Sequence, residues 1–426
     1  MTIRVIMENQ ITTKPEPSVF FRWGILLFVS LAMFGNYYIY DSISPLADLL
    51  AKQLKFSDSN IGLLQGIYSV PNVFMVLIGG IIIDKIGTRI STFIFTLLCL
   101  TGAIITASFS DITMMAIGRL VFGLGAESMI VAVTTVIGRW FKGKQLSFAF
   151  GLNLTLARLG SFAALNSPTW AKSLYEYWQT PLLISVAAGI ISIAAVIIYW
   201  GMDSYSERNF SLRPVPKQDK IIFKEIFSFS TSYWFVVMLC VTFYSGIFPF
   251  QTFAVKFFIE THGTTREMGG FLSSMLTLSA MVLTPLFGLL ADYIGKRSLL
   301  MMFGSLILIP VYLLMAYTHV SLYVPMAMMG IAFSLIPAVM WPSVALIVDE
   351  AKLGTAYGLM TMIQNIGLAG FNFLVGWAND FSGGYTAGMW IFSSLGFFGL
   401  LFAFLLRRSE LGTHGHGLEK GISKTE

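Results

Sequence analysis

The stretch GIIIDKIGTR at residues 80–89 recurs in the second half of the chain as GLLADYIGKR at residues 288–297. Both copies place glycine, aspartate, glycine and arginine at the same spacings. Further along each half, FGLNL at residues 150–154 recurs as YGLMT at residues 357–361. Two related halves in a membrane chain are typical of secondary transporters, whose substrate site lies between the halves near the middle of the bilayer. The repeat therefore predicts two pseudo-symmetric units with a site between them.

The composition places both units in a membrane. Of the 426 residues, 56% are hydrophobic and 12% are charged, whereas about a quarter of the residues of a soluble domain are charged. Apolar runs of about 20 residues, the length that an α-helix needs to cross a bilayer, recur without the alternation of a membrane β-barrel. We predict an all-α polytopic protein with twelve transmembrane helices in two six-helix bundles. The predicted spans are 20–42, 58–83, 88–108, 112–138, 145–171, 181–201, 231–257, 266–291, 297–318, 320–348, 353–379 and 385–407.

The distribution of basic residues predicts the orientation of these spans. Of the 27 lysine and arginine residues, twenty lie on the side of the termini and five lie in the opposite loops. This bias predicts that both termini are cytoplasmic, and it accounts for the net charge of +5 without a nucleic-acid partner. The predicted regions are a cytoplasmic tail at 1–19, a six-helix bundle at 20–201, a polar cytoplasmic linker at 202–230, a second bundle at 231–407 and a cytoplasmic tail at 408–426.

Two charged residues fall in the middle of apolar spans. Glu127 precedes and Arg158 follows the basic turn around Lys142 by nearly equal numbers of residues, so both charges lie at a similar depth near the bilayer centre. A charge there costs at least about 2.5–3.5 kcal/mol and is rarely kept without a purpose. One interpretation is a structural ion pair between the two side chains. The other, which we favour, is a polar cavity in which Glu127 binds the ammonium and Arg158 the carboxylate of a zwitterionic solute.

Further polar residues lie at about the same depth. Tyr68 precedes Pro71, where a kink is expected, and Tyr244 precedes Pro249. Hydroxyl and amide groups there would hydrogen-bond a peptide backbone without selecting its side chains, although helix packing explains each residue equally well. The predicted substrate-binding residues are Glu127, Arg158, Tyr68, Tyr244, Gln364 and Asn365.

Aromatic and charged residues also mark the ends of the spans on the side away from the termini. Tyr37, Tyr38 and Tyr40 suit an aromatic belt at the membrane interface at least as well as they suit the cavity. Asp41 ends the first span and Arg119 begins the fourth on the same side. The two either pair as a gate or are solvated separately.

No residue pattern predicts a cofactor, a metal site or an enzyme. Cys99 and Cys240 fall in separate apolar spans, where buried thiols are expected, and the four histidines do not have metal-ligand spacing. The chain has no P-loop motif for a nucleotide and no His-Glu-x-x-His motif for zinc, and GLGAES lacks the third glycine of a dinucleotide-binding turn. These observations exclude transport driven directly by ATP and leave secondary transport.

The two motif stretches that open this section resemble the loop motif of the major facilitator superfamily. The resemblance implies two bundles that rock about a central site, with the motif residues stabilising the outward-open state by latching the inner side. The alternative is that these residues only shape the turn and fix the topology. The predicted gating residues are Gly80, Asp84, Gly87, Arg89, Gly288, Asp292, Gly295 and Arg297.

Seven stretches extend this resemblance from about residue 22 to about residue 400. They are YSVPNV, GRLVFGLGAES, WFKGK, LARLGS, IFPF, MWPSVALIV and LGTAYGLMTMIQNIGLA. Together they are similar to the lysosomal dipeptide uniporter branch of the superfamily. In that branch the acid of the GES-like stretch and the arginine of the AR-G-like stretch bind the dipeptide, and these positions are Glu127 and Arg158 here.

The resemblance implies a secondary transporter that moves dipeptides by alternating access as a uniporter. The alternative is a proton-coupled transporter of an amino acid, organic anion, sugar or drug. The predicted partners are a small zwitterionic solute such as a dipeptide and the lipid bilayer. The first nineteen residues lack an acidic dileucine sorting signal, and the predicted outer loops lack an Asn-x-Ser/Thr acceptor. These departures favour the cell membrane over the lysosomal membrane and argue against the glycosylated accessory subunit of the branch.

Overall fold

The computed structural model of the chain describes residues 15–141, 145–210, 229–349, 352–413 and 415–420. Parts of the predicted tails, the turn centre at Lys142 and most of the predicted linker lie outside the described residues. The described residues form α-helices α1 (Val19–Asp41), α2 (Ala47–Leu54), α3 (Asp58–Gly66), α4 (Ser69–Ser108), α5 (Ile112–Phe141), α6 (Leu146–Leu165), α7 (Ser167–Trp170), α8 (Gln179–Asn209), α9 (Thr231–His262), α10 (Arg266–Ile294), α11 (Arg297–Tyr317), α12 (Tyr323–Ile347), α13 (Leu353–Ser382) and α14 (Thr386–Glu410).

Eleven helical stretches among the described residues are long and apolar enough to cross a membrane. Twelve spans are predicted, and the difference arises at Asp58–Ser108, where a single stretch of 51 residues contains two predicted spans. Within it the backbone of α4 leaves the helical conformation at Gly87, with φ 82° and ψ 165°. Glycine adopts this conformation without the steric cost that a side chain would bring.

The packing of α4 on α5 shows that the chain reverses at Gly87. The part before Gly87 passes Gly123 and then Ser128 of α5, whereas the part after it passes Gly125 and then Phe122. The two parts therefore run in opposite directions along one helix and are separate passes. The described helices thus supply the twelve predicted passes, and the chain returns to the side on which it began. We call that side, where α1 begins and α14 ends, the terminal face, and the opposite side the distal face.

Two helix ends differ from the predicted spans. The second span is interrupted between Gly66 and Ser69, because Pro71 has no N–H to donate to the Ile67 carbonyl, which accepts from Val70 N instead at 3.2 Å. The predicted kink at Pro71 is therefore a break that falls just before it. The sixth span continues as helix to Asn209, inside the region predicted as linker.

The packed interior is divided between the two halves of the chain, α1–α8 and α9–α14. One apolar core is formed within the N-terminal half, around residues such as Phe95 and Phe122. The other is formed mainly by the C-terminal half, but it also includes Leu46, Leu50 and Leu64 from the N-terminal half. The segment 43–66, which we call the distal segment, is thus packed into the core of the opposite half.

Polar contacts reinforce this union at the distal face. Asp48 accepts two hydrogen bonds from Arg266, at 3.0 Å to Nε and 2.6 Å to Nη2. Asp58 forms an ion pair with Lys256, and its backbone N–H donates to Asp380 at 2.8 Å. These contacts all join residues of different halves. The halves are therefore bound together at the distal face in this structure.

Candidate substrate site

A cavity of about 240 Å³ lies between the two halves. Its wall combines residues of α1, α5 and α6 from the N-terminal half with residues of α9, α12 and α13 from the C-terminal half. Five of the six predicted substrate-binding residues line it, namely Glu127, Arg158, Tyr68, Tyr244 and Gln364. Residues that were predicted to share one depth in the membrane, although they are far apart along the chain, thus line one cavity.

Glu127 is held by a tyrosine from the interrupted helix. The Tyr68 hydroxyl donates a hydrogen bond to Glu127 Oε1 at 3.0 Å. Tyr68 lies in the break between α3 and α4, and its ring packs on Phe122 and Tyr40 with centroid distances of 5.5 and 4.8 Å. The break caused by Pro71 therefore places a hydroxyl donor beside the buried carboxylate.

Arg158 is held by aromatic rings. Its Cζ atom lies 5.6 Å from the ring centroid of Tyr37 and 5.5 Å from that of Phe333. Among the described residues it forms no ion pair with Glu127 and no hydrogen bond with any other group. The structural ion pair considered from the sequence is thus not formed here, and the charges of Glu127 and Arg158 both face the cavity.

Arg119, in the same half as Arg158, has a structural role instead. It is buried and donates hydrogen bonds to three backbone carbonyls, those of Ile39, Tyr40 and Leu64, and to the side chain of Gln65 at 2.8 Å. These bonds fix the end of α1 against α3. Arg119 thus braces the backbone and forms no ion pair with Asp41, so the gate pair considered from the sequence is not formed in this structure.

Five aromatic residues of the wall were not assigned to the site from the sequence, namely Tyr37, Tyr40, Phe122, Phe248 and Trp341. Tyr37 and Tyr40 line the cavity, whereas Tyr38, their neighbour, is buried against Phe34. Trp341 also lines it and donates from Nε1 to the Tyr244 hydroxyl at 2.9 Å. The Trp-Pro sequence in the middle of an apolar span was the available signal for Trp341, because a polar indole N–H at that depth needs a partner.

The two amide residues predicted for the site lie in different environments. Gln364 lines the cavity, and its Oε1 accepts a weak hydrogen bond from Cys240 Sγ at 3.5 Å. Asn365 is buried and is not part of the wall, because its Nδ2 turns back to the Thr361 carbonyl of the same helix at 3.0 Å. Neighbours on a helix point about 100° apart, so equal depth does not bring both amides to the cavity.

The first motif copy makes its contacts within the N-terminal half. Arg89 forms ion pairs with Asp203, at 3.2 Å, and with Glu207 of α8. Asp84 is exposed and forms no ion pair with a described residue. Gly80 is buried, and Gly87 makes the reversal described above.

The second motif copy also makes its contacts within its own half. Arg297 donates from Nη2 to Asp292 at 2.6 Å, and Gly295 takes the positive φ of 66° that ends α10. A side chain at Gly288 would meet open space. The contacts of both motif copies among the described residues thus remain within their own half, and a latch between the halves is a prediction about another arrangement.

The described residues contain no group of histidine, cysteine, aspartate and glutamate side chains that could hold a metal ion. Cys99 and Cys240 are free and buried. The polar side chains that line the cavity carry a carboxylate, a guanidinium, hydroxyls, an indole N–H and two amides. Such a set binds a solute by charge and hydrogen bonding.

Comparison with known proteins agrees with the architecture and names a family. Residues 29–265 and 250–423 match the Major Facilitator Superfamily. The chain is 32% identical over 372 residues to the lysosomal dipeptide transporter MFSD1 of Danio rerio. The matched region covers 84% of this chain and 81% of the relative. The human protein of the same name is also 32% identical over 372 residues, covering 84% of this chain and 80% of the relative.

A solved structure shares the fold. The crystal structure of a bacterial homolog of the human lysosomal transporter Spinster superposes with a TM-score of 0.71 at 16% identity, and covers 92% of this chain and 98% of that chain. The matched residues include both repeated motifs and both charges of the cavity. The chain therefore belongs to the Major Facilitator Superfamily, in the branch that contains the MFSD1 relatives.

Proposed function

We propose that this protein moves dipeptides across a membrane by alternating access, with Glu127 binding the substrate ammonium and Arg158 the substrate carboxylate. The observation that carries the proposal is that these opposite charges face one cavity between the halves without pairing with each other. The name of the MFSD1 relatives, dipeptide transporters, supports this substrate class.

The rest of the wall suits a peptide. Tyr244 and Gln364 supply a hydroxyl and an amide from the C-terminal half, and the aromatic rings supply apolar surface without a further charge. Such groups contact a peptide backbone and side chains of several kinds. We therefore propose broad selectivity for the side chains and strict selectivity for the two charged termini.

The test measures thermal stabilisation and uptake with one panel of solutes. Purified protein is titrated with a dipeptide, its N-acetylated and C-amidated forms, single amino acids, a sugar acid and a neutral sugar. We expect the free dipeptide to stabilise the protein and to be transported, and each blocked form to bind at least about tenfold more weakly, because a buried charge is left unpaired. Equal binding of free and blocked dipeptides, or a preference for the sugar acid, would overturn the proposal.

Variants of the two charges complete the test. We expect Glu127→Gln and Arg158→Ala each to abolish dipeptide transport while the protein still reaches the membrane and elutes as one species. Asn365→Ala is a control from the same region, since its side chain faces away from the cavity. If the double variant Glu127→Gln with Arg158→Ala regains transport, the two charges do not bind the substrate.

We further propose that the motif residues act when the distal face is open and the terminal face is closed. Here the distal face is closed and Asp84 has no ion-pair partner among the described residues. When the distal face opens, Asp84 would contact the C-terminal half at the terminal face and close it. Asp84→Asn should then shift label distances across the terminal face towards the present structure, and an unchanged distribution would contradict this role.

We propose uniport as the mode of transport and the cell membrane as the location, with the terminal face in the cytoplasm. α1 carries no acid before Asp41, and a Glu127 held ionised by the substrate ammonium would be a poor proton carrier. The excess of basic residues on the terminal face supports the orientation. The relatives are named lysosomal, so fractionation of the source cells decides the location.

A further inference from the structure

Arg158 is positioned by a ring that belongs to the opposite half of the protein. Arg158 lies on α6 of the N-terminal half, and Phe333 lies on α12 of the C-terminal half. The Phe333 ring centroid is 5.5 Å from Arg158 Cζ, and the Tyr37 ring is at 5.6 Å. The guanidinium is thus held by one ring from each half.

This mode of holding leaves the hydrogen-bonding groups of the guanidinium available. A ring attracts a cation through the negative charge on its face and does not occupy the N–H groups at the guanidinium edge. Arg158 makes no hydrogen bond or ion pair with any described residue, whereas Arg119 makes four. The two rings therefore fix the position of Arg158 without consuming the donors that a carboxylate needs.

The position of Phe333 is itself fixed by the C-terminal half. Phe333 is 3% exposed and is not part of the cavity wall. It packs parallel to Phe243, with centroids 6.3 Å apart, and edge-on to Phe248 at 6.0 Å, which in turn stacks on Tyr244 at 5.6 Å. Movement of the C-terminal half relative to α6 would thus carry the ring away from Arg158.

We propose that Phe333 is a positioning residue that holds Arg158 ready for the substrate carboxylate while the distal face is closed. The inference rests on the proposed function and deepens it, because it makes the carboxylate subsite depend on both halves. Opening of the distal face separates Phe333 from Arg158 and weakens the hold on the carboxylate. The affinity for the carboxyl end of the substrate is thus coupled to the arrangement of the halves.

The test compares the apparent affinity for a free dipeptide with that for its C-amidated form, and we call the ratio of the two the carboxylate preference. In Phe333→Leu the ring is lost and the apolar character is kept. We expect the carboxylate preference to fall between about 2-fold and 30-fold, the range that corresponds to one lost cation–π contact. Phe333→Tyr keeps the ring and should stay within about 2-fold of the wild type.

Phe392→Leu is the matched control. Phe392 is similarly buried, at 2% exposed, and lies in the same half, but it packs on Phe250 and Tyr312 and contacts neither Arg158 nor Phe333. A packing defect alone would change the affinity of both peptides together and leave the ratio at the wild-type value. If Phe333→Leu does not fold, Phe333→Met serves in its place, because methionine fills a similar space without a ring.

The outcomes separate this inference from the proposed function. A carboxylate preference that survives Phe333→Leu, or that falls equally in Phe392→Leu, overturns the role of Phe333 and leaves the substrate assignment intact. A wild-type protein with no carboxylate preference overturns the proposed function itself. A preference that falls in Phe333→Leu and returns in Phe333→Tyr supports the inference.

Discussion

Tyr68 donates a 3.0 Å hydrogen bond to Glu127 from a break in the second membrane pass. The bond joins the backbone irregularity caused by a proline to the buried acid of the cavity. It thereby gives the buried carboxyl group a hydrogen-bond donor that carries no charge of its own.

We expect Tyr68→Phe to lower kcat/KM for dipeptides by about tenfold, near the low end for a hydrogen bond to a charged group. Uptake into proteoliposomes measures the change. Tyr199→Phe is the control, because Tyr199 is also buried and donates to Thr88 at 3.3 Å away from the cavity. Equal loss in both variants would mean that Tyr68 acts only through general stability.

The two motif arginines should differ in their contribution to stability. Arg89 pairs with Asp203, whose side chain is 0% exposed, whereas Arg297 pairs with Asp292, whose side chain is 55% exposed. We expect Arg89→Gln to cost about 1.5–3 kcal/mol, the value of a hydrogen bond to a charged group, because the buried Asp203 keeps Arg139 as a partner at 3.3 Å.

For Arg297→Gln we expect a cost of about 0–1 kcal/mol, because the pair is at the surface. The apparent Tm of each purified variant in one detergent gives the comparison. Nearly equal Tm losses in Arg89→Gln and Arg297→Gln would show that burial does not distinguish these two copies of the motif.

The ion pairs of the distal face should control which face is open. We expect Arg266→Gln to raise the population in which the distal face is open, because Asp48 loses its bidentate partner. Spin labels on the distal ends of the two halves, with Cys99 and Cys240 replaced, would report a longer distance. Exchange of the charges, Asp48→Arg with Arg266→Asp, should restore the short distance.

Lys52→Gln is the control for the distal pairs. Lys52 binds the same carboxylate at 3.3 Å, but it is 61% exposed and lies in the same half as Asp48. Its loss should leave the label distances unchanged. A shift as large as that of Arg266→Gln would indicate that the charge of Asp48, and not the bridge between the halves, sets the distance.

Uniport predicts the response to a proton gradient. With equal dipeptide on both sides of proteoliposomes, an imposed inward proton gradient should produce no accumulation of a neutral dipeptide. The physical reason is that α1 offers no acid before Asp41 and that, in the proposed function, the substrate ammonium would hold Glu127 ionised. Concentrative uptake that a protonophore abolishes would establish proton coupling and would leave the binding roles of Glu127 and Arg158 untouched.

The sequence predicted the passes and the repeated motifs because both depend on local patterns. Apolar length identifies a pass, and the repeat around Gly87 and Gly295 identifies the turns between passes. Equal distance from the basic turn also brought Glu127 and Arg158 to one depth, since an α-helix rises by a constant 1.5 Å per residue. These inferences need no knowledge of how the helices are rotated.

The rotation of each helix about its axis and the contacts between helices determine which side chains face the cavity and which partners they have. Asn365 turns away from the cavity although Gln364, one position earlier, faces it. Glu127 accepts a hydrogen bond from Tyr68, whereas Arg158 lies against two aromatic rings. Neither result follows from depth, since depth does not fix the direction in which a side chain points.

The distal segment has a consequence for how the protein is made. Leu46, Leu50 and Leu64 lie in the core that is formed mainly by α9–α14, so the N-terminal half alone cannot bury them in their final environment. During synthesis this segment cannot reach its final packing environment before helices of the second half, beginning with α9, have been inserted. We therefore expect that the N-terminal half, made alone, leaves the distal segment without its packing partners, and that the two related halves do not fold independently.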